Sequence, residues 1–384
     1  MLAMRVKRPS VGSSIRWISS IDNSGIGSGS GSGDRNAEMK SVIDALWRNK
    51  ESSLEPSLGD TTNSPQTLPR YDLLKSKEEI IREVLSQREN RASKPYDGLL
   101  VQYKKVRNVF SFFKEGIMNV WRVHRELGKS IYNGQRYLID YYTRTGNGNG
   151  NGNGNGKYVV RRSDYRQIVE DVAVRVQLMR TEYTNGSRTL AKLLDSDETE
   201  IKLSRREFVE LGRDASNWRK LPIFGLLFLI LEEMSLPLLY VFPGMIPSTC
   251  VLPGRLKKRY LAHRKASLKK LTAIRGTTLE EAAKYVQQVA MGTVSAYSVP
   301  RGEIAYVGGV LGCGTSIGEV AFHVRRLSAD DFFLLRARDV LSGPEAVHGL
   351  RERGFAEALS GSGKLADAEA QELLRKWLSA RFVK

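Results

Sequence analysis

The chain has 384 residues, of which 41% are hydrophobic, enough to bury a sizeable core in one or two domains. Lys and Arg outnumber Asp and Glu 60 to 42, for a formal charge of +18, which favours nucleic acid, anionic lipid or acidic protein surfaces as partners. Only two cysteines occur, Cys250 and Cys313, which argues against a disulfide framework. His124, His263, His323 and His348 stand far apart without cysteine partners, so no metal and no cofactor is expected.

The first residues, MLAMRVKRPSVGSSIRWISSIDNS, carry Arg5, Lys7, Arg8 and Arg16, several serines and no acid before Asp22. That is the composition of a mitochondrial transit peptide over residues 1–20, and it lacks the continuous apolar block of a secretory signal. Residues 21–69 are rich in Gly, Ser, Thr, Asn and Pro and are expected to be largely unstructured, with EMKSVIDALWRNK as a candidate short helix.

A helical region is expected over 70–218. Ser76 with Glu79 forms a capping box opening a helix that carries Ile80, Ile81, Val84 and Leu85. Leu99, Tyr103, Val106, Phe110, Phe113, Ile117, Val120, His124, Leu127 and Ile131 then alternate spacings of four and three, the stripe of one long helix that must pack against something. His124 on that stripe reads as a tolerated polar seam position rather than a ligand. The Asn-Gly run at 146–156 reads as a flexible insertion. Helical pattern resumes from Asp164 to Met179, and again at the Ser204/Glu207 box, where Phe208, Leu211, Ala215 and Trp218 lead into the apolar run.

That run, RKLPIFGLLFLILEEMSLPLLYVF, predicts a single transmembrane helix over 219–243: Leu221 to Val241 spans about 31 Å at ~1.5 Å per residue, against a hydrocarbon core of about 30 Å. Glu232 and Glu233 sit mid-span beside Pro237, which removes a helix hydrogen bond. These three are the intramembrane functional candidates. Two readings stand for the carboxylates, a proton or cation relay and a protonated carboxyl hydrogen-bonded at a helix contact.

After Pro243 the chain reads as a basic helical domain, 244–384, with three more boxes: Thr278/Glu281, Ser328/Asp331 and Ser342/Glu345. The fold class is therefore all-α. IAYVGGVLGCG is ambiguous, because its glycines weaken helix and strand alike. Arg255, Lys257, Lys258, Arg259, Arg325, Arg326, Arg351 and Arg353 are the candidate contacts to phosphate backbones or anionic headgroups. Sparse aromatic interleaving argues against sequence-specific nucleic-acid binding. GCGTSIG has the wrong spacing for a dinucleotide fingerprint, GSGK lacks the frame of a phosphate loop, and no nucleophile elbow or zinc helix occurs, so an enzyme is not expected.

On these residues a resemblance emerges. LSRREFVELGRDASNWRKLPIFGLLFLILEEMSLPLLYVFPGMIPST, then GTSIGEVAFHVRRLSADDFFLLRARDVLSGPEAVHGLRERGF with its Arg353-Gly354, and the closing Trp377-Leu378, resemble the LETM family. The resemblance implies a mitochondrial inner-membrane protein with its C-terminal domain in the matrix and a 14-3-3-like ribosome-binding fold. It further implies engagement of the mitochondrial ribosome in membrane-protein biogenesis and ion homeostasis or, alternatively, membership of a potassium or calcium/proton exchange system using the intramembrane carboxylates. Expected partners are the mitochondrial ribosome, inner-membrane lipid and, with two carboxylates to bury, a second copy of the chain. Residues 271–311 match that pattern poorly, and the coiled coil and calcium-binding hand of larger members have no counterpart.

Overall fold

A computed structural model describes residues 63–86, 97–127, 162–187, 203–231, 245–252, 255–336, 341–355 and 367–382, together with most of 36–44. Among the described residues there is no strand, so the all-α expectation holds. The helices are α1 (Lys77–Ser86), α2 (Asp97–Leu127), α3 (Arg162–Thr184), α4 (Arg205–Leu231), α5 (Arg255–Arg275), α6 (Leu279–Met291), α7 (Arg301–Leu311), α8 (Ile317–Arg336), α9 (Gly343–Glu352) and α10 (Asp367–Phe382).

Local capping sets several helix starts. Ser76 and Glu79 exchange both box hydrogen bonds at the start of α1, as do Ser204 and Glu207 at α4 and Thr278 and Glu281 at α6. The other two expected boxes fail. Ser328 and Asp331 lie inside α8, which starts instead at the Ser316/Glu319 pair. Ser342 precedes α9 without a side-chain cap, because Glu345 is drawn away to Arg213. The glycine-rich run resolves as helix: it forms the body of α7, and Gly312 ends that helix in the left-handed conformation (φ 73°).

Three apolar clusters form the interior. One joins α5, α6, α7 and α10 through Leu271, Val286, Val307, Leu374 and Trp377. A second joins α3 and α4 through Ile168, Val172 and Phe208 and also takes in Met39 and Ile43. Two residues of the polar 21–69 stretch are thus core side chains, and Ser64 of the same stretch donates to Glu210. α8 is the shared element: Val320 and Leu327 face the first cluster, Phe332 and Phe333 the second. Alternate faces of one helix serve both because ~100° per residue turns each fourth position back to the same side.

A third cluster, Phe112, Phe113, Phe224, Ile246 and Cys250, fixes α2 against α4. The pair is antiparallel. His124 and Trp121 of α2 meet Trp218 of α4, with ring centroids 3.7 and 5.6 Å apart, and Phe113 meets Phe224 at 5.7 Å. His124 Nδ1 also lies 2.9 Å from Asp214 Oδ2, so it is a polar seam position, partnered by carboxylate and indole. The C-terminal half of the α2 stripe is buried as expected at Phe113, Val120 and Leu127. Its N-terminal half is exposed.

No helix of the described residues is long and apolar enough to cross a membrane. α4 is continuous from Arg205 to Leu231 with Pro222 inside it, so the apolar run begins within a longer helix, and the second half of the expected span, 232–243, lies outside the described residues. Its first four turns carry Arg205, Glu207, Glu210, Arg213 and Asp214 in buried polar contacts, and only its last eleven residues are apolar. Glu232, Glu233 and Pro237 lie outside the described residues, as do the Asn-Gly run and residues 1–35.

Candidate anion-binding cleft

A cavity of about 640 Å³ opens between α4, the α7–α8 turn and the end of α9, a size within the usual range for small-molecule sites. α4 supplies one wall through Gly212, Ser216, Arg219, Lys220 and Ile223, which recur at three and four and so share a helix face. The opposite wall carries Cys313, Phe322, His323, Arg326, Arg351 and Glu352, with Arg166 of α3 and Arg264 of α5 closing the sides. Arg166, Arg213, Arg219, Lys220, Arg264, Arg326 and Arg351 line it against only two lining carboxylates, Glu319 and Glu352. The cleft is an electropositive focus with low-dielectric walls.

The deep cations are committed to the fold. Arg326 lies 2.8 Å from Glu352, and burial, which alone would raise the Glu352 carboxyl, is outweighed by Arg326 and His348, holding it well below the usual carboxylate range. Arg213 binds Glu345 through both terminal nitrogens at 2.8 and 3.0 Å and also donates to Thr67. Arg264 donates to the Arg351 carbonyl at 2.6 Å. The outer cations differ. Arg166 lies over the Phe322 ring at 5.2 Å, Lys220 donates to the Ile246 carbonyl at 3.3 Å, and among the described residues no carboxylate lies in salt-bridge range of Arg166, Arg219 or Lys220. Burial lowers the Lys220 pKa, the response of an ammonium whose lost hydration has no opposite charge to replace it.

Groups of reactive type in the cleft are detuned. Burial pushes the Cys313 thiol up to about 12. Burial and the Arg326 charge push His323 down to about 3, and its Nε2 lies 2.9 Å from the Glu352 carbonyl, which fixes an N–H donor there. A neutral thiol and a permanently neutral imidazole are poor as nucleophile and base at pH 7.

The expected contact residues are dispersed. Arg326 and Arg351 line the cleft. Arg325 pairs with Glu170 of α3 at 3.2 Å on the outer surface. Arg353 is fully buried, bound to Asp330 and Asp331, and structural rather than a surface contact. Arg255, Lys257, Lys258 and Arg259 lie in the first turns of α5, where the side chains fall outside the described residues. Sequence reasoning passed over Arg166, Arg213, Arg219 and Lys220. The signal for three of them was present as the 213, 216, 219/220 spacing on one face of a helix; Arg166 had none, since only tertiary folding brings α3 alongside. Among the described residues no cluster of His, Cys, Asp and Glu could hold a metal.

Comparison with known families corrects the resemblance drawn above. Residues 156–305 match the family model of the pentamidine resistance factor domain. That is a different family from LETM, so the ribosome-binding, biogenesis, ion-homeostasis and exchanger expectations are withdrawn, together with the 14-3-3-like fold that came only with them. No curated protein and no solved structure matches the chain. A mitochondrial location is compatible with the family found. The match spans less than half of the chain and takes in α3 to α6 with the first turn of α7, so the α4 wall of the cleft, Arg166 and Arg264 lie inside it and the α8 and α9 walls outside it: this chain is similar to the pentamidine resistance factor domain over 156–305.

Proposed function

We propose that the protein is a non-enzymatic binding protein of the mitochondrial inner membrane's matrix face, holding a multiply charged organic anion in the α4–α8–α9 cleft. The observation that carries this is the partition of the cleft's cations: Arg213 and Arg326 are neutralised by the internal carboxylates Glu345 and Glu352, while the outer three, Arg166, Arg219 and Lys220, line the cleft without one. An incoming anion supplies the opposite charge that those three lack, and at Lys220, the one of them that is not exposed, it offsets the burial that lowers the ammonium's pKa. The volume exceeds what a lone phosphate fills, so the ligand carries an extended or apolar part, for which Ile223 and Phe322 are the lining surface. The raised Cys313 thiol and lowered His323 support binding without turnover. The location rests on the basic, acid-free N-terminus and on the family similarity. The sign of the cleft argues against a dication such as pentamidine as its ligand.

The test is titration of the full chain with inorganic diphosphate at low salt, read by calorimetry and thermal shift. Binding that weakens as salt rises and is lost in Arg219→Ala with Lys220→Ala, but kept in Arg325→Ala, supports the reading. No binding at low salt, or binding indifferent to the paired substitution, overturns it.

A further inference from the structure

Beyond the Phe113–Phe224 contact, both members of the antiparallel α2–α4 pair carry exposed apolar residues at the same end. On α2 these are Leu99 (65% exposed), Tyr103, Val106 and Phe110, at spacings of four, three and four. They are one face of the helix, the N-terminal half of the stripe whose C-terminal half is core. On α4 they are Ile223 and Leu226, the latter 60% exposed. Ile223 belongs to both features: it lines the cleft, and with Leu226 three residues on it prolongs the cleft's own face of α4 out of the opening. An unpaired cationic mouth therefore runs without interruption into an exposed apolar ridge.

Such an arrangement has a matching chemistry. A small free phosphate compound fills at most the cleft and has nothing to lay along the apolar ridge outside it; a phospholipid presents a phosphate with acyl chains on one side of it. We infer that the end of the α2–α4 pair seats on an anionic phospholipid bilayer, with one lipid phosphate drawn up to Arg219 and Lys220 and the apolar side chains of Ile223 and Leu226 entering the acyl boundary. This rests on the cleft being an anion site and names the source of the anion. Two signals, apolar insertion and cationic attraction, are what stable peripheral attachment requires.

The experiment is flotation of the purified full chain with vesicles of zwitterionic lipid alone and of zwitterionic lipid mixed with phosphatidylglycerol. The expected result is flotation with the mixed vesicles only, reduced by about tenfold or more in Ile223→Ser with Leu226→Ser and, separately, in Arg219→Ala with Lys220→Ala. Both pairs are at the surface or cleft mouth, and circular dichroism checks that each variant is folded. Flotation unaltered in both variants overturns the inference, since attachment then resides elsewhere in the chain. So does a self-associated chain, measured without vesicles, that Ile223→Ser with Leu226→Ser dissociates, since the ridge is then an interface between copies. Diphosphate binding without vesicle flotation sinks the bilayer and leaves the anion cleft standing; loss of diphosphate binding sinks both.

Discussion

The Arg353 guanidinium and the Asp331 carboxylate are both fully buried, with Nε 3.0 Å from Oδ1. Twenty-two residues apart, they tie the end of α9 to the C-terminal half of α8. Asp331 also accepts from Trp377 Nε1 at 2.9 Å and Arg381 Nη1 at 2.8 Å, which brings in α10. Asp330 beside it accepts from Arg353 and Arg205; burial alone would raise its carboxyl, but Arg205 and Arg353 hold it below its ordinary value. Two carboxylates and three guanidiniums thus join four helices. Removing one carboxylate charge leaves buried cations uncompensated, so Asp331→Asn is expected to cost about 3–5 kcal/mol in urea unfolding. Asp331→Leu combined with Arg353→Met should not recover the loss, because Arg381 and Trp377 keep their need of an acceptor. Full recovery would show that the network contributes less than its geometry states.

His323 predicts a pH dependence of stability. Its folded pKa of about 3 lies below the ordinary 6.5, so between those values the unfolded chain takes up a proton that the folded chain refuses. Stability must then fall as pH drops from 6.5, by up to ~1.4 kcal/mol per unit from this residue. His323→Gln retains a donor for the Glu352 carbonyl and removes the titration. The slope of unfolding free energy between pH 6 and 4.5 should be shallower in the variant by that amount, and equal slopes would refute the assignment.

The thiols make a simpler case. Burial pushes both Cys250 and Cys313 up to about 12, and Cys250 is sealed between α2 and α4. At pH 8 neither holds an appreciable thiolate fraction, and the thiolate is the reactive form. A colorimetric disulfide reagent should label less than a tenth as fast in the native protein as in urea, where both thiols must react. Fast native labelling of one thiol would place it outside the burial described.

How much of this was legible in the sequence depends on the range of the interaction. The boxes at Ser76, Ser204 and Thr278 were readable because both partners lie within four residues and each Glu side chain closes back on its own cap. At Ser328 and Ser342 the same spacing misled, because Asp331 and Glu345 are claimed by Arg353, Arg381 and Arg213 from other helices. The apolar run at 221–241 is described only in its first half: up to Leu231 it continues a helix whose first turns are packed among charged partners, which hydropathy does not register, and 232–241 lies outside the described residues. Cation density located Arg326 and Arg351 but ranked buried Arg353 equally, since composition cannot tell a guanidinium with an internal carboxylate from one without. The cleft itself comes from six helices, and only its α4 face had a local signature.

The glycines of α7 test the last of these points. Sequence reading took Gly308 and Gly309 as weakening any element, yet both lie in regular helix, and their missing side chains are what allow close approach. A Cβ on Gly308 would collide with the Gly314 backbone carbonyl, and one on Gly309 with the Ser267 hydroxyl of α5. Gly302, one turn and a half earlier, has open space around it. Ala is the better helix former by up to ~1 kcal/mol, so propensity alone predicts that all three alanine substitutions stabilise. Packing predicts a split. Gly308→Ala should destabilise by about 1–3 kcal/mol, since the obstructing atom is backbone and cannot turn aside. Gly309→Ala should cost less, because Ser267 can rotate, while Gly302→Ala should be neutral or slightly stabilising. Urea midpoints of the three variants decide it: if Gly308→Ala is as stable as Gly302→Ala, α7 does not lie against the α7–α8 turn in this manner, and the wall of the cleft that carries Cys313 has to be redrawn.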